Sequence, residues 1–139
     1  MNMNANINRD IATLLLVDDD PDDQEFFKLA LQTIRGEITF AAAGNGQEAF
    51  DLLRTQACLP DLIFLDMNMP LMNGLTFLEK IKATTDLKHI PVIIYTTSDE
   101  KQEMILAKSL GAVDFVTKPT RFDDLCQLLQ EKLYLHVNA

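Results

Sequence analysis

The chain has 139 residues, a length that predicts a single folded domain. Hydrophobic residues make up 47% and charged residues 24% of the sequence, proportions that are typical of a globular protein and do not favour a disordered or fibrous chain. The formal net charge of -9, with no basic patch to offset it, predicts that the chain does not bind nucleic acid. The longest apolar runs have the length of a strand and fall far short of the roughly 20 residues that span a bilayer, so no membrane association is expected.

The first ten residues, MNMNANINRD, lack the basic start and apolar stretch of a secretory signal. We therefore expect residues 1–10 to form a flexible arm, residues 11–137 to form one domain with no output domain, and the protein to lie in the cytoplasm. Cys58 and Cys126 have no metal-type spacing and each falls in an apolar helical pattern. They are interpreted as ordinary thiols, which suits a reducing compartment.

Short apolar runs alternate with helical patterns along the chain. The predicted strands are 13–17, 38–43, 62–65, 91–95 and 113–117. The predicted helices are one that closes near Gly36, one that carries 49–53, and then 74–83, 99–110 and 122–135. This alternation predicts an α/β fold, a doubly wound parallel sheet of five strands with helices on both faces and a ligand site beyond the carboxyl ends of the strands.

Polar residues directly follow four of these strands. They are the run Asp18, Asp19 and Asp20, then Asp66 with Asn68, then the run Thr96 to Ser98, and last Lys118 with Pro119. Because the carboxyl ends of parallel strands meet at one edge, carboxylates from two of the strands are expected to crowd together, and they need a cation to offset their repulsion. Oxygen ligands without His or Cys select a hard cation, and a site with few protein ligands suits Mg²⁺.

The same edge carries what is needed to hold a phosphoryl group. Its three negatively charged oxygens require a metal, an ammonium group and hydrogen-bond donors, which the metal site, Lys118 and Thr96 would supply. Asp66 is a candidate nucleophile, because a carboxylate that attacks phosphorus becomes an aspartyl phosphate. The pattern therefore points to phosphoryl transfer.

The sequence resembles the receiver domain of two-component response regulators over residues 12–135. Four motifs carry the resemblance in the family's order: LLLVDDD at 14–20, IFLDMNMPLMNG at 63–74, PVIIYTTS at 91–98 and GAVDFVTKP at 111–119. It implies a flavodoxin-like sheet with strand order 2-1-3-4-5. It also implies a sensor histidine kinase or a histidine phosphotransfer protein as phosphoryl donor, and a downstream protein target.

The resemblance also assigns roles to individual residues. It implies that Asp66 is the phosphoacceptor and that Lys118 pairs with the phosphate. It implies that Mg²⁺ is held by Asp18, Asp19, Asp66 and the backbone carbonyl of Asn68. It further implies that Thr96 is the switch hydroxyl and Phe115 the switch aromatic, and that Asn68 and Ser98 govern the lifetime of the phosphoryl group. A cis peptide bond between Lys118 and Pro119 is implied as well.

Three alternatives accompany this interpretation. The acidic pair can be placed one residue later in the run, although Asp20 and Pro21 suit the opening of a helix. A haloacid dehalogenase-type phosphatase also uses Asp and Mg²⁺, but neither Asp18 nor Asp66 has the Thr or Val expected three positions later. A receiver-like binding module that is never phosphorylated would have lost the acidic pair, Asp66 or Lys118, and this sequence keeps all of them. The protein is thus expected to be a signalling domain and not an enzyme.

The sequence also suggests an output face on the fourth helix, the fifth strand and the fifth helix, usable by a partner or a homodimer. Met104, Ile105 and Leu106 are consecutive, as are Leu133, Tyr134 and Leu135, so neither set can point wholly into a core. Met104 and Tyr134 are the expected contacts.

Overall fold

The computed structural model of the chain describes residues 11–55 and 59–138, and for 135–138 it describes the backbone alone. The predicted arm at 1–10 and Cys58 lie outside the described residues. Cys126 is a free, partly buried cysteine, as the sequence predicts.

Five strands and five helices alternate along this part of the chain. In order they are β1 (Thr13–Val17), α1 (Pro21–Ile34), β2 (Thr39–Ala43), α2 (Gly46–Thr55), β3 (Leu62–Leu65), α3 (Gly74–Ala83), β4 (Val92–Thr96), α4 (Lys101–Ser109), β5 (Asp114–Thr117) and α5 (Phe122–Asn138). The predicted bounds of β1, β3 and α3 are confirmed, and those of the other elements differ by a few residues.

The strands form one parallel sheet in the order β2-β1-β3-β4-β5, as predicted. Successive residues of β1 enter different cores, because side chains alternate across a strand. Leu15 and Val17 belong to a core with residues of α2, α3 and α4, whereas Leu14 and Leu16 belong to a second core with residues of α1 and α5. The central strands β3 and β4 are buried at every position, so both faces of the sheet are covered.

Two helices begin next to the carboxyl edge of the sheet on clear sequence signals. Asp20 caps α1 by accepting a hydrogen bond from the backbone N–H of Asp22, and Pro21 follows as the first helical residue. Asn73 caps α3 by accepting from the backbone N–H of Thr76. These caps fix where the loops that carry the acidic residues end.

One predicted backbone feature is wrong. All peptide bonds among the described residues are trans, including the one between Lys118 and Pro119. The trans form is the lower-energy isomer of an X–Pro bond by about 0.5–1 kcal/mol, and it prevails in this structure. Within the same residues, no helix combines the length and the apolar character that crossing a bilayer requires.

Candidate functional site

The edge of the sheet at the strand carboxyl ends brings three carboxylates together. Val17 and Leu65 are paired in the register of β1 and β3, so the next residues, Asp18 and Asp66, emerge side by side. One carboxylate oxygen from each of Asp18, Asp19 and Asp66 lies within 4.8 Å of the others. The predicted acidic site is therefore assembled at this edge, from two strands that are distant in sequence.

Asp18 is buried and poorly satisfied. Its Oδ1 accepts a hydrogen bond from the backbone N–H of Asp20, but its buried Oδ2 makes no hydrogen bond within the described structure. Lys118 Nζ lies 2.8 Å from that Oδ2, an ion-pair distance without the angles of a hydrogen bond. Burial raises the pKa of the Asp18 carboxyl despite the opposing effect of Lys118. An unsatisfied buried oxygen beside two more carboxylates fits a hard divalent cation such as Mg²⁺.

Lys118 is surrounded by carboxylates. Its Nζ donates hydrogen bonds to Asp23 Oδ2 at 2.8 Å and to Asp66 Oδ2 at 3.3 Å, in addition to the ion pair with Asp18. Burial alone would lower the pKa of Lys118, but the neighbouring carboxylates Asp18, Asp23 and Asp66 raise it above its ordinary value. The ammonium group is thus held in its charged form next to the predicted phosphoacceptor.

The loop that follows β3 is held tightly around Asp66. The backbone N–H of Asn68 donates to Asp66 Oδ1 at 3.3 Å. A Cβ atom on Gly74 would lie 2.4 Å from the backbone oxygen of Asp66, so the start of α3 can approach this loop only because residue 74 is glycine. Three methionines of the loop are largely buried in the core, in keeping with apolar packing: Met67, Met69 and Met72.

Thr96 and Ser98 lie at the end of β4, next to β3. The side chain of Thr96 is fully buried, and its Oγ1 accepts a long hydrogen bond of 3.4 Å from the backbone N–H of Ser98. The hydroxyl of Ser98 donates to Glu103 Oε1 on α4 at 2.5 Å. Glu103 also lines a cleft of about 480 Å³ that contains Asp19 and Asn68, so α4 contributes a carboxylate to the surroundings of the acidic site.

Phe115 is already buried in this structure. The residue is 8% exposed and belongs to the core that contains residues of α2, α3 and α4. Phe115 pairs with Ile94 in the register of β4 and β5, two residues before Thr96 on the neighbouring strand. The switch role that the resemblance implies for Phe115 would therefore start from a buried side chain.

The apolar side chains of the predicted output face differ in their exposure. Met104 is half-buried and packs against the core, whereas Ile105 and Leu106 on the same turn of α4 are 68% and 45% exposed. Leu133 is buried and Tyr134 is 67% exposed, and the side chain of Leu135 lies outside the described residues. Among the described residues of these two helices, the apolar side chains that face solvent are therefore Ile105, Leu106 and Tyr134, whereas Met104 is partly buried against the core.

The sequence pattern does not single out Asp23 or Glu103. Asp23 lies 95 positions from Lys118 in the sequence, and both carboxylates sit in the first turn of a helix, where acidic residues are common for electrostatic reasons alone. The sequence could nevertheless have pointed to Asp23 indirectly. The cap at Asp20 and the proline at Pro21 fix the start of α1, and so place Asp23 in its first turn, at the same edge of the sheet.

Comparison with known proteins agrees with this geometry. The family model described as "Response regulator receiver domain" matches residues 14–130. The chain belongs to the response regulator receiver family. This receiver domain is 31% identical over 123 residues to Protein PilH of Pseudomonas aeruginosa, covering 88% of the chain and 98% of PilH. The family assignment favours the receiver interpretation over the phosphatase alternative.

Other relatives of this receiver domain are longer proteins. It is 33% identical over 118 residues to a probable C4-dicarboxylate response regulator DctR of Bacillus subtilis. The matched region covers 85% of this chain but only 50% of DctR. Among solved structures, the phosphorylated cyanobacterial phytochrome response regulator RcpA superposes with a TM-score of 0.82 at 28% identity, covering 89% of this chain and 92% of RcpA. The chain thus spans about half the length of DctR and nearly all of PilH and RcpA.

Proposed function

We propose that this receiver domain accepts a phosphoryl group on Asp66, with Mg²⁺ held by Asp18, Asp19, Asp66 and the backbone carbonyl of Asn68. The observation that carries the proposal is the position of Asp66, whose carboxylate lies in the acidic cluster and accepts a hydrogen bond from Lys118. A bound Mg²⁺ supplies positive charge for the phosphoryl oxygens, which the three carboxylates by themselves would repel. The phosphorylated state of the RcpA structure supports the same chemistry.

The proposed reaction is a transfer from phosphohistidine, on a sensor histidine kinase or a histidine phosphotransfer protein, to Asp66. A carboxylate oxygen of Asp66 forms a bond to phosphorus while the bond from phosphorus to the imidazole nitrogen breaks. The electron pair of the broken bond stays on that nitrogen, which takes up a proton. Thr96 ends β4 and Lys118 directly follows β5, the neighbouring strand, so a hydroxyl and an ammonium group can donate to the phosphoryl oxygens. The reaction is placed in the cytoplasm, and its result is a signal and not a released product.

The output of this signal is proposed to be a change at the face formed by α4, β5 and α5. Thr96 lies at the end of β4, and Phe115 pairs with β4 from β5, so a hydroxyl drawn toward the phosphoryl group alters packing next to α4. Exposed apolar side chains on this face suit a downstream protein or a second copy of the chain. Asn68 and Ser98 are proposed to set the lifetime of the phosphoryl group through water access, since neither side chain is a strong base.

The phosphoacceptor is tested by mass spectrometry. Incubation with acetyl phosphate and Mg²⁺ is expected to add the mass of one phosphoryl group, and the addition is expected to disappear in Asp66→Asn, which keeps the shape but removes the nucleophile. Asp61→Asn is the matched control, because Asp61 precedes the same strand at its opposite end and instead accepts hydrogen bonds from the backbone of residues 12 and 13. An adduct that survives in Asp66→Asn places the phosphoryl group elsewhere.

A further inference from the structure

Lys118 has more carboxylate partners than a phosphoryl site requires. An ammonium group has three donor hydrogens, and three carboxylates surround this one. Asp18 and Asp23 lie 2.8 Å from Nζ, whereas the proposed phosphoacceptor Asp66 lies 3.3 Å away. Lys118 can therefore donate to a phosphoryl oxygen on Asp66 only by giving up part of an existing contact.

The three carboxylates differ in how easily water can replace Lys118 as their hydrogen-bond donor. The side chains of Asp18 and Asp66 are 0% and 8% exposed, so water does not reach them easily and cannot readily take the place of the ammonium group. The side chain of Asp23 is 34% exposed. Asp23 and Lys118 also line a surface cleft of about 370 Å³, which admits water to this side of the pair. Asp23 is thus the partner that can be rehydrated when Lys118 leaves it.

We propose that Asp23 is a positioning residue that competes with the phosphoryl group for Lys118. In the unphosphorylated protein it draws the ammonium group toward the start of α1, and on phosphorylation Lys118 leaves Asp23 for a phosphoryl oxygen. This inference rests on the proposed function, and it adds a residue outside the acidic cluster that holds the metal. Asp23 lowers the affinity of the site for a phosphoryl group, both by holding Lys118 and by adding negative charge near an anion.

The first test is the binding of beryllofluoride, an analogue of the phosphoryl group, to the full chain in the presence of Mg²⁺. Asp23→Asn is expected to bind about two- to fivefold more tightly than the parent, the scale of one partly exposed ion pair. Asp22→Asn is the matched control, because Asp22 is an exposed carboxylate in the same first turn of α1 and lies outside the contacts of Lys118. Asp22→Asn is expected to change the affinity by less than twofold, and Asp23→Glu, which keeps the carboxylate, to stay within twofold of the parent.

The second test observes Lys118 directly, since competition requires its ammonium group to leave Asp23 when an analogue of the phosphoryl group binds. In protein with ¹³C-labelled lysine, the Cε signal of Lys118 is identified by its loss in Lys118→Arg. It is expected to shift in ligand-free Asp23→Asn and on addition of beryllofluoride and Mg²⁺ to the parent, and to stay in place in Asp22→Asn.

The outcomes are distinguishable. A parent protein that binds no beryllofluoride and accepts no phosphoryl group contradicts the proposed function. A parent that does both, combined with an Asp23→Asn variant that binds beryllofluoride equally or more weakly, or that leaves the Lys118 signal unmoved, overturns the role of Asp23 and leaves the proposed function standing. Equal tightening in Asp22→Asn also overturns it, because a general charge effect would then suffice.

Discussion

Asp18 is the residue at which stability and function are expected to oppose each other most clearly. It is fully buried, and its Oδ2 has no hydrogen-bond partner within the described structure. The pKa of its carboxyl is raised from the ordinary value of 3.8, chiefly by burial. The folded metal-free protein therefore binds a proton at this position more tightly than the unfolded chain does.

Asp18→Asn is expected to stabilise the metal-free protein at neutral pH by on the order of 1 kcal/mol, the usual scale of a single substitution. The pKa of the Asp18 carboxyl is higher in the folded protein than in the unfolded chain. The Asp18 carboxyl therefore adds to the parent's stability as the pH falls through the folded pKa toward 3.8, and the variant lacks this part of the pH dependence. Asp19→Asn serves as the comparison, since Asp19 is exposed and its loss relieves no burial. Thermal melts in chelator and in Mg²⁺, at pH 7 and pH 5, measure these effects.

Both variants are expected to lose much of the stabilisation that Mg²⁺ gives the parent, because each removes a proposed ligand. If Asp18→Asn melts below the parent in chelator, the ion pair with Lys118 outweighs the cost of burying the carboxylate.

At the scale of elements, a side-chain hydrogen bond joins the β4–α4 connection to its helix. Ser98 donates its only hydroxyl hydrogen to Glu103, and its oxygen accepts from the backbone N–H of Glu100. Ser98 is therefore committed to α4 and has no hydrogen left for a phosphoryl oxygen or an attacking water. We infer that this bond holds the connection in place beside the cleft that reaches the acidic site.

Ser98→Ala and Glu103→Gln are expected to shorten the half-life of phosphorylated protein several-fold each, because a looser connection admits water more readily. The double variant is expected to decay at nearly the rate of either single variant, since all three lose the same bond, whose loss is limited to about 1.5–3 kcal/mol. Loss of radiolabelled phosphate after removal of the donor measures the decay. Glu100→Gln is the control, as its side chain makes no capping bond. Additive effects in the double variant would show that Ser98 and Glu103 act separately.

At the scale of the whole molecule, the sequence correctly predicted the bounds of elements that are set by an unbroken buried apolar run or by a helix cap. β3 is apolar and buried at all of its positions, and α3 begins after the cap at Asn73, so their bounds were predicted correctly. β5 begins at Asp114 and not at Val113, since pairing with β4 begins at Asp114, and Val113 is 44% exposed. An apolar side chain at an edge strand does not reveal by itself whether it is buried.

The strand order implied by the resemblance placed the predicted site residues at one edge, but contacts between distant side chains could not be read from it. The ion pair between Asp23 and Lys118 depends on the direction in which a first-turn residue of α1 points, and the pairing of Ser98 with Glu103 depends on where α4 begins. α4 begins at Lys101, two residues after the predicted start, and this shift places Glu103 in its first turn. Such details follow from packing and not from residue pattern.

The last prediction concerns the output face, which joins the site to the surroundings of the molecule. Ile105 and Tyr134 are 68% and 67% exposed, on α4 and α5 respectively, and these helices flank β5. Exposed apolar side chains on the two helices that flank the edge strand favour contact with another protein surface over solvent. Ile105→Glu and Tyr134→Glu are expected to weaken self-association or partner binding about tenfold or more, as loss of a central contact does at other interfaces. Both variants are expected to fold normally, because the side chains are exposed.

Leu29→Glu on α1 is the matched control, since Leu29 is 48% exposed on a different helix. Sedimentation with and without beryllofluoride and Mg²⁺ measures the oligomer, and binding to the cognate kinase and to proteins retained by the parent measures partner contacts. The face formed by α4, β5 and α5 is not the output surface if Leu29→Glu impairs association and the two α4 and α5 variants do not.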